Sequence, residues 1–146
     1  MAMLKIAVGC DPNAASAKAA LMQYLGQKGF LLTDFGSDDP IYANVAIKVA
    51  EAVSRKEYDR GILICGTGLG VSIAANKVKG IRAAVCSEPF TAKMARVHNN
   101  CNILAFGARV VGAELAKMIV ETWLDAEFEG GRHQRRVDLI TAIEAK

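Results

Sequence analysis

The sequence predicts an α/β fold, a three-layer αβα sandwich around a five-stranded parallel sheet. Three observations predict it. Short apolar, β-rich runs alternate with longer amphipathic stretches, the pattern of a parallel sheet covered by helices. The runs are apolar throughout rather than alternating, which suits strands buried on both faces. Glycine and proline fall between the elements, as at Gly29, Pro40 and Gly80. With right-handed crossovers, the layout is Rossmann-like.

The first strand is expected within the apolar stretch Met1 to Val8, over Leu4–Val8, ending in Gly9-Cys10-Asp11. Helix 13–28 follows, then strand Leu31–Phe35 and helix 42–55. Strand Ile62–Ile64 leads into helix 69–78, and strand Ile81–Val85 into helix 89–98, where Pro89 suits a first turn. Strand Ile103–Phe106 leads into helix 112–126. Glu129-Gly130-Gly131 then breaks the chain before a final helix over 133–145. The two glycines would let that helix swing out toward a neighbouring subunit.

At 146 residues, 52% hydrophobic and 23% charged, residues 1–146 make one domain with a real core and no need of disulfide staples. No apolar run is long enough to span a bilayer. The start lacks the charged entry and longer apolar run of a signal peptide, so the cytoplasm is expected. Cysteines stand at 10, 65, 86 and 101, without the close spacing of a zinc or redox motif, and there are two histidines. Free thiols and no metal or cofactor are the expectation. The net charge of +3 hints at anionic ligands and falls short of a nucleic-acid footprint.

The most informative stretch is Gly61-Ile-Leu-Ile-Cys-Gly-Thr-Gly-Leu-Gly-Val-Ser72. A buried strand ends at Cys65, and Gly66, Gly68 and Gly70 form a loop that opens a helix at Leu69. Ligands of open α/β sheets bind at carboxyl strand ends. Glycines there bring backbone N–H groups close to an anion, and the helix dipole adds positive charge. The loop has no lysine for a P-loop. Val71 stands where a dinucleotide fingerprint needs its third glycine and where a cysteine phosphatase loop needs arginine. A thiol ringed by amides at a helix start is drawn toward the thiolate, which can act as a general base. The amides could hold an enediolate oxygen, with Thr67 as the nearest hydroxyl donor. The plainer alternative is that Cys65 is a small core residue.

Other polar groups allow two readings each. His98, with Asn99 and Asn100, precedes the fifth strand; it can protonate a sugar ring oxygen or cap a helix end. Arg132 and Arg136, four apart, share a helix face and can grip one phosphate, or are solvated charges. Arg109 follows the fifth strand. Asp11 can accept sugar hydroxyls or cap a helix. Tyr42 walls a pocket or simply packs.

Together these segments resemble the ribose-5-phosphate isomerase B family, which includes galactose-6-phosphate isomerase subunits and tetrose-phosphate isomerases. The resemblance covers essentially the whole chain. It is carried by Gly9-Cys10-Asp11, residues 38–43, residues 61–77, residues 80–89, His98-Asn99, residues 102–112 and residues 129–137. It implies that Cys65 shuttles the proton between C1 and C2, and that Gly66, Thr67, Gly68, Leu69 and Gly70 hold the enediolate. His98 would open the furanose ring with Asn99 beside it. Arg109, Arg132 and Arg136 would hold substrate and phosphate, and Asp11 a hydroxyl. It also implies a site shared between two subunits of a homodimer, dimers that pair into tetramers, and no cofactor.

One departure stands out. The family's first strand usually ends in Asp-His, and here Asp11 is followed by Pro12, which cannot donate a hydrogen bond. Asp39 and Ile41 also differ from the usual residues at the expected pocket mouth. The expected function is an aldose–ketose isomerase interconverting ribose 5-phosphate and ribulose 5-phosphate. The rivals are the same chemistry on a tetrose or hexose phosphate, and a non-catalytic sugar-phosphate-binding protein.

Overall fold

The computed structural model describes residues 3–146, so Met1 and Ala2 of the predicted first strand lie outside the described residues. Five strands form one sheet: β1 (Lys5–Cys10), β2 (Leu31–Asp34), β3 (Arg60–Cys65), β4 (Ala83–Val85) and β5 (Ile103–Gly107). Their order is β2-β1-β3-β5-β4, and every pairing is parallel. Six helices connect and cover them: α1 (Ala15–Gln27), α2 (Tyr42–Ser54), α3 (Leu69–Ala75), α4 (Pro89–Val97), α5 (Ala113–Asp125) and α6 (Arg132–Ile143).

The sheet divides the core in two. On one face Ile6, Val8, Ile62, Ile64, Leu104 and Phe106 meet Leu21 and Leu25 of α1, Ala92 of α4 and Trp123 of α5. On the other, Ala7, Leu63, Ile103 and Ala105 meet Val49 and Val53 of α2 and Val71 of α3. Burial on both faces holds for β1, β3 and β5. It does not hold for β2 and β4, which are the sheet edges and largely lack fully buried residues.

Local hydrogen bonds explain where elements stop short of expectation. The first helical stretch opens as a 3-10 turn over Pro12–Ala14, with Asp11 before it. Helix α3 ends at Ala75 rather than 78, because the Asn76 amide turns across to the backbone of Ala83, donating to its oxygen and accepting from its nitrogen. Strand β4 starts at Ala83 rather than Ile81. The Ile81 N–H is taken by Val78 in a turn, and the Arg82 N–H donates to the Asn102 side chain. Side-chain amides thus replace the ladder there.

Candidate active site

The site begins where β1, β3 and β5 end side by side. Cys65 pairs with Gly107 in the register of β3 and β5, and Cys10 pairs with Ile64 in that of β1 and β3. Apolar strands on both sides bury these ends, and the chain must then turn sharply into α3. Gly68 makes that turn, at φ +85°. A side chain there would lie 2.8 Å from the carbonyl carbon of Phe106, so only glycine fits both the dihedral and the space.

The turn aims the Gly68 N–H at Sγ of Cys65, 3.1 Å away. Cys65 is 6% exposed, so the thiol sits at the edge of the core cluster formed with Leu63, Val71 and Ala105, where the strand end meets the glycine loop. Thr67 is exposed and accepts a hydrogen bond from the Leu69 N–H at 3.2 Å, which leaves its own proton free to donate. G68A should therefore lose about 2–4 kcal/mol of unfolding free energy and most of its activity. Urea unfolding and a turnover assay on one preparation check both.

Three further predicted residues gather at this end. Arg109 follows β5; its N–H donates to Gly66, and its side chain runs alongside Gly66. The Tyr42 ring, at the start of α2, lies against Gly70 so closely that any side chain at 70 would strike it. Asp11 follows β1, with its N–H bonded to the Ile64 carbonyl. Its Oδ2 accepts from Asn13 at 3.5 Å, while its buried Oδ1 has no partner. A buried carboxylate oxygen without a donor is costly, and a sugar hydroxyl would satisfy it. Asp39 belongs to the scaffold: its carboxylate takes the Ile41 N–H and the Asn44 amide, both before or within the first turn of α2, and these donors hold it below the ordinary carboxylate pKa.

His98, Asn99, Arg132 and Arg136 stand elsewhere. His98 follows the C-terminus of α4, and the chain from there enters β5 at its amino end. Gly61 pairs with Ile103 at that end, and Cys65 pairs with Gly107 at the other. Four residues of strand separate them, about 13 Å. The sequence places His98 after a helix and ahead of the fifth strand, as the structure shows, and in a parallel sheet that junction lies on the edge opposite Cys65. There the His98 ring stacks on His133 of α6, centroids 4.2 Å apart and planes 16° from parallel. The Glu129 N–H donates to Val97, tying the segment before α6 to the end of α4. Burial, with His98 and Arg132 nearby, pushes the His133 pKa down, so this ring is held neutral. Arg132 and Arg136 are exposed on α6 and make no ion pair among the described residues.

Sequence reasoning passed over His133, whose only signal was its place between Arg132 and the other guanidiniums. His98, Glu129 and His133 are the group of described residues that could offer three metal ligands. No helix of the described residues is long and apolar enough to cross a membrane.

Comparison with known proteins bears on this arrangement. A family model described as Ribose/Galactose Isomerase matches residues 6–140. Ribose-5-phosphate isomerase B of Escherichia coli (strain K12) is 55% identical over 147 residues, covering 99% of each chain. D-erythrulose-4-phosphate isomerase of Pectobacterium atrosepticum is 49% identical over 146 residues, covering 97% of this chain and 96% of its own. The solved structure of Clostridium thermocellum ribose-5-phosphate isomerase B superposes with a TM-score of 0.94 at 52% identity, covering 97% of this chain and 98% of the other. The fold, the thiol loop and the match along nearly the whole length agree, and the chain belongs to the ribose/galactose isomerase family.

Proposed function

We propose that the protein interconverts ribose 5-phosphate and ribulose 5-phosphate through an enediolate. The observation that carries the reading is the Cys65 sulfur at the carboxyl edge of the sheet, with the Gly68 N–H aimed at it, in a chain of an isomerase family. In the aldose-to-ketose direction the Cys65 thiolate takes the C2 proton. The C–H electron pair becomes the C1–C2 double bond, and the carbonyl oxygen gains the charge. Cys65 returns the proton to C1, and the hydroxyl proton on O2 passes to O1, so charge and atoms balance. The Thr67 hydroxyl and the loop amides not already engaged by Cys65 and Thr67 donate to the oxygens on which charge develops, where one well-placed donor is worth about 3 kcal/mol of barrier. Asp11 takes a hydroxyl through its unpartnered oxygen, and Tyr42 and Arg109 border the pocket.

The complete site is shared between two copies of the chain. Cys65, Thr67, Asp11, Tyr42 and Arg109 come from one subunit. His98, which opens the furanose ring, comes from the other, with Asn99 and the phosphate-gripping Arg132 and Arg136. What supports this is their place on opposite edges of the sheet. The outer face of α6 also leaves Leu139, Ile140 and Ile143 exposed, an apolar stripe suited to a partner subunit. The homodimer works in the cytoplasm, in keeping with four unpaired cysteines.

A second substrate is favoured by one observation. Pro12, at the head of a 3-10 turn, offers no donor beside Asp11, and a shorter sugar phosphate asks for fewer. Proton NMR in heavy water, with ribose 5-phosphate and erythrulose 4-phosphate in parallel, decides between them. Deuterium should enter C1 of ribulose 5-phosphate as it forms, and C2 of ribose 5-phosphate when the enediolate returns to the aldose. Faster exchange on the tetrose moves the assignment to that substrate, and binding without exchange on either sinks the isomerase reading.

A further inference from the structure

A cavity of about 190 Å³ opens at the amino edge of the sheet, the edge opposite Cys65. Lys56, Asp59, Arg60, Arg82, Arg96 and Asn100 line it, among others. Four of these six are cationic and one is anionic. One oxygen of the Asp59 carboxylate accepts the Lys5 backbone N–H at 2.8 Å, and its charge partly offsets that of Arg60. Arg96 is 5% exposed and forms no ion pair with any described carboxylate.

The ends of α2 and α4 reach this edge, and their carbonyl groups offset part of the charge. Arg82 Nε donates to the Asn99 and Asn100 oxygens, both at 3.1 Å. One Arg96 nitrogen donates to Asn100 Oδ1 at 2.9 Å and to the Cys101 oxygen at 2.8 Å. Those acceptors do not satisfy the set. The Nε of Arg60 and the Nε of Arg96 are buried with no acceptor. Burial lowers the pKa of both guanidiniums, and for Arg96 the neighbouring Arg60 and Arg82 charges add to this, bringing it to about 10. Arg60 also donates from one Nη to the Asp59 backbone oxygen at 3.0 Å, and the lining still carries four cations against the one carboxylate of Asp59. Lys56 is among them at a cost: its φ is +65°, a backbone region that favours glycine, yet the position carries a cation.

Crowded, desolvated guanidiniums that outnumber their carboxylates are unfavourable unless an anion joins them. Their planar donor forks match a phosphate group. We propose that Arg60, Arg82 and Arg96, with Lys56 at the rim, form a second anion site that binds a phosphate dianion, free or as a phosphate monoester. The site is separate from the phosphate contacts assigned to Arg132 and Arg136 and does not depend on that assignment.

The test uses the full chain with R132A and R136A, which removes the phosphate contacts assigned above. Inorganic phosphate and glycerol 3-phosphate are titrated calorimetrically at low ionic strength, and the tighter of the two names the source. One site per chain is expected, weakened about tenfold or more by adding R60Q. R96M should abolish it, but Arg96 lies in the core and that variant can cost the fold, so R60Q at the strand start is the deciding change. In the otherwise native chain R60Q should leave turnover unchanged. No binding by the R132A/R136A chain up to about 10 mM of either probe, or binding that R60Q weakens less than tenfold, overturns the proposal.

Discussion

C65A should lower turnover on ribose 5-phosphate by at least about a thousandfold while leaving the unfolding midpoint nearly unchanged. General-base catalysis alone typically supplies about 10²–10⁴ in rate, and here the base carries the proton in both half-steps. The side chain is buried but small, and alanine keeps its Cβ, so the substitution removes one sulfur atom's worth of packing. The loop amides remain, so any residual rate measures what the oxyanion donors do without a base. C65S is the sharper comparison. It keeps the size and a hydrogen-bond acceptor for Gly68, but a hydroxyl ionises far less readily than a thiol. Solvent hydrogen exchange at C2, followed by NMR, reads the step directly. Exchange at the normal rate in either variant would remove Cys65 from the role of base.

Two inactive proteins should also make one active one. C65A lacks the base, and H98A with R132A lacks the ring-opening and phosphate groups. Each homodimer has two defective sites. In a heterodimer the defects fall together in one site, and the other site is intact. After unfolding and refolding of an equal mixture, half of the dimers are mixed and each carries one good site. About a quarter of the wild-type activity should return, as two-fold symmetry requires. Mixed protein that stays as inactive as its parents would mean that each chain uses its own His98. That outcome would demand a rearrangement bridging both edges of the sheet.

The fold was legible because the central strands are apolar runs, and because glycine and proline mark their ends. The boundaries that shifted did so through groups a periodicity cannot weigh. Asn76 and Asn102 bond the backbone from their side chains and end α3 and delay β4. The thiol loop was legible for a related reason, since a buried strand running into glycines has few other meanings. The placement of His98 was not. Its distance from Cys65 depends on which edge of the sheet a junction faces, and that follows from the direction of β5 rather than from any residue near position 98. The cluster around Arg96 was hidden too, since its members lie in three separate stretches, 53–60, 82 and 96–102, brought together by the strand order.

The Cys65 loop rests on β5. Its Gly66 and Cys65 carbonyls are held by the N–H groups of Arg109 and Ala108, and Gly68 lies against the Phe106 backbone. These partners come some forty residues later in the chain, across two crossovers. Contacts of that range form late in folding. A collapsed intermediate can pair β1 with β3 and bury most of its apolar surface, yet still leave the thiol without its donor. On refolding, helical signal should recover before the chain can take a proton from carbon, and the lag between them would time the docking of β5.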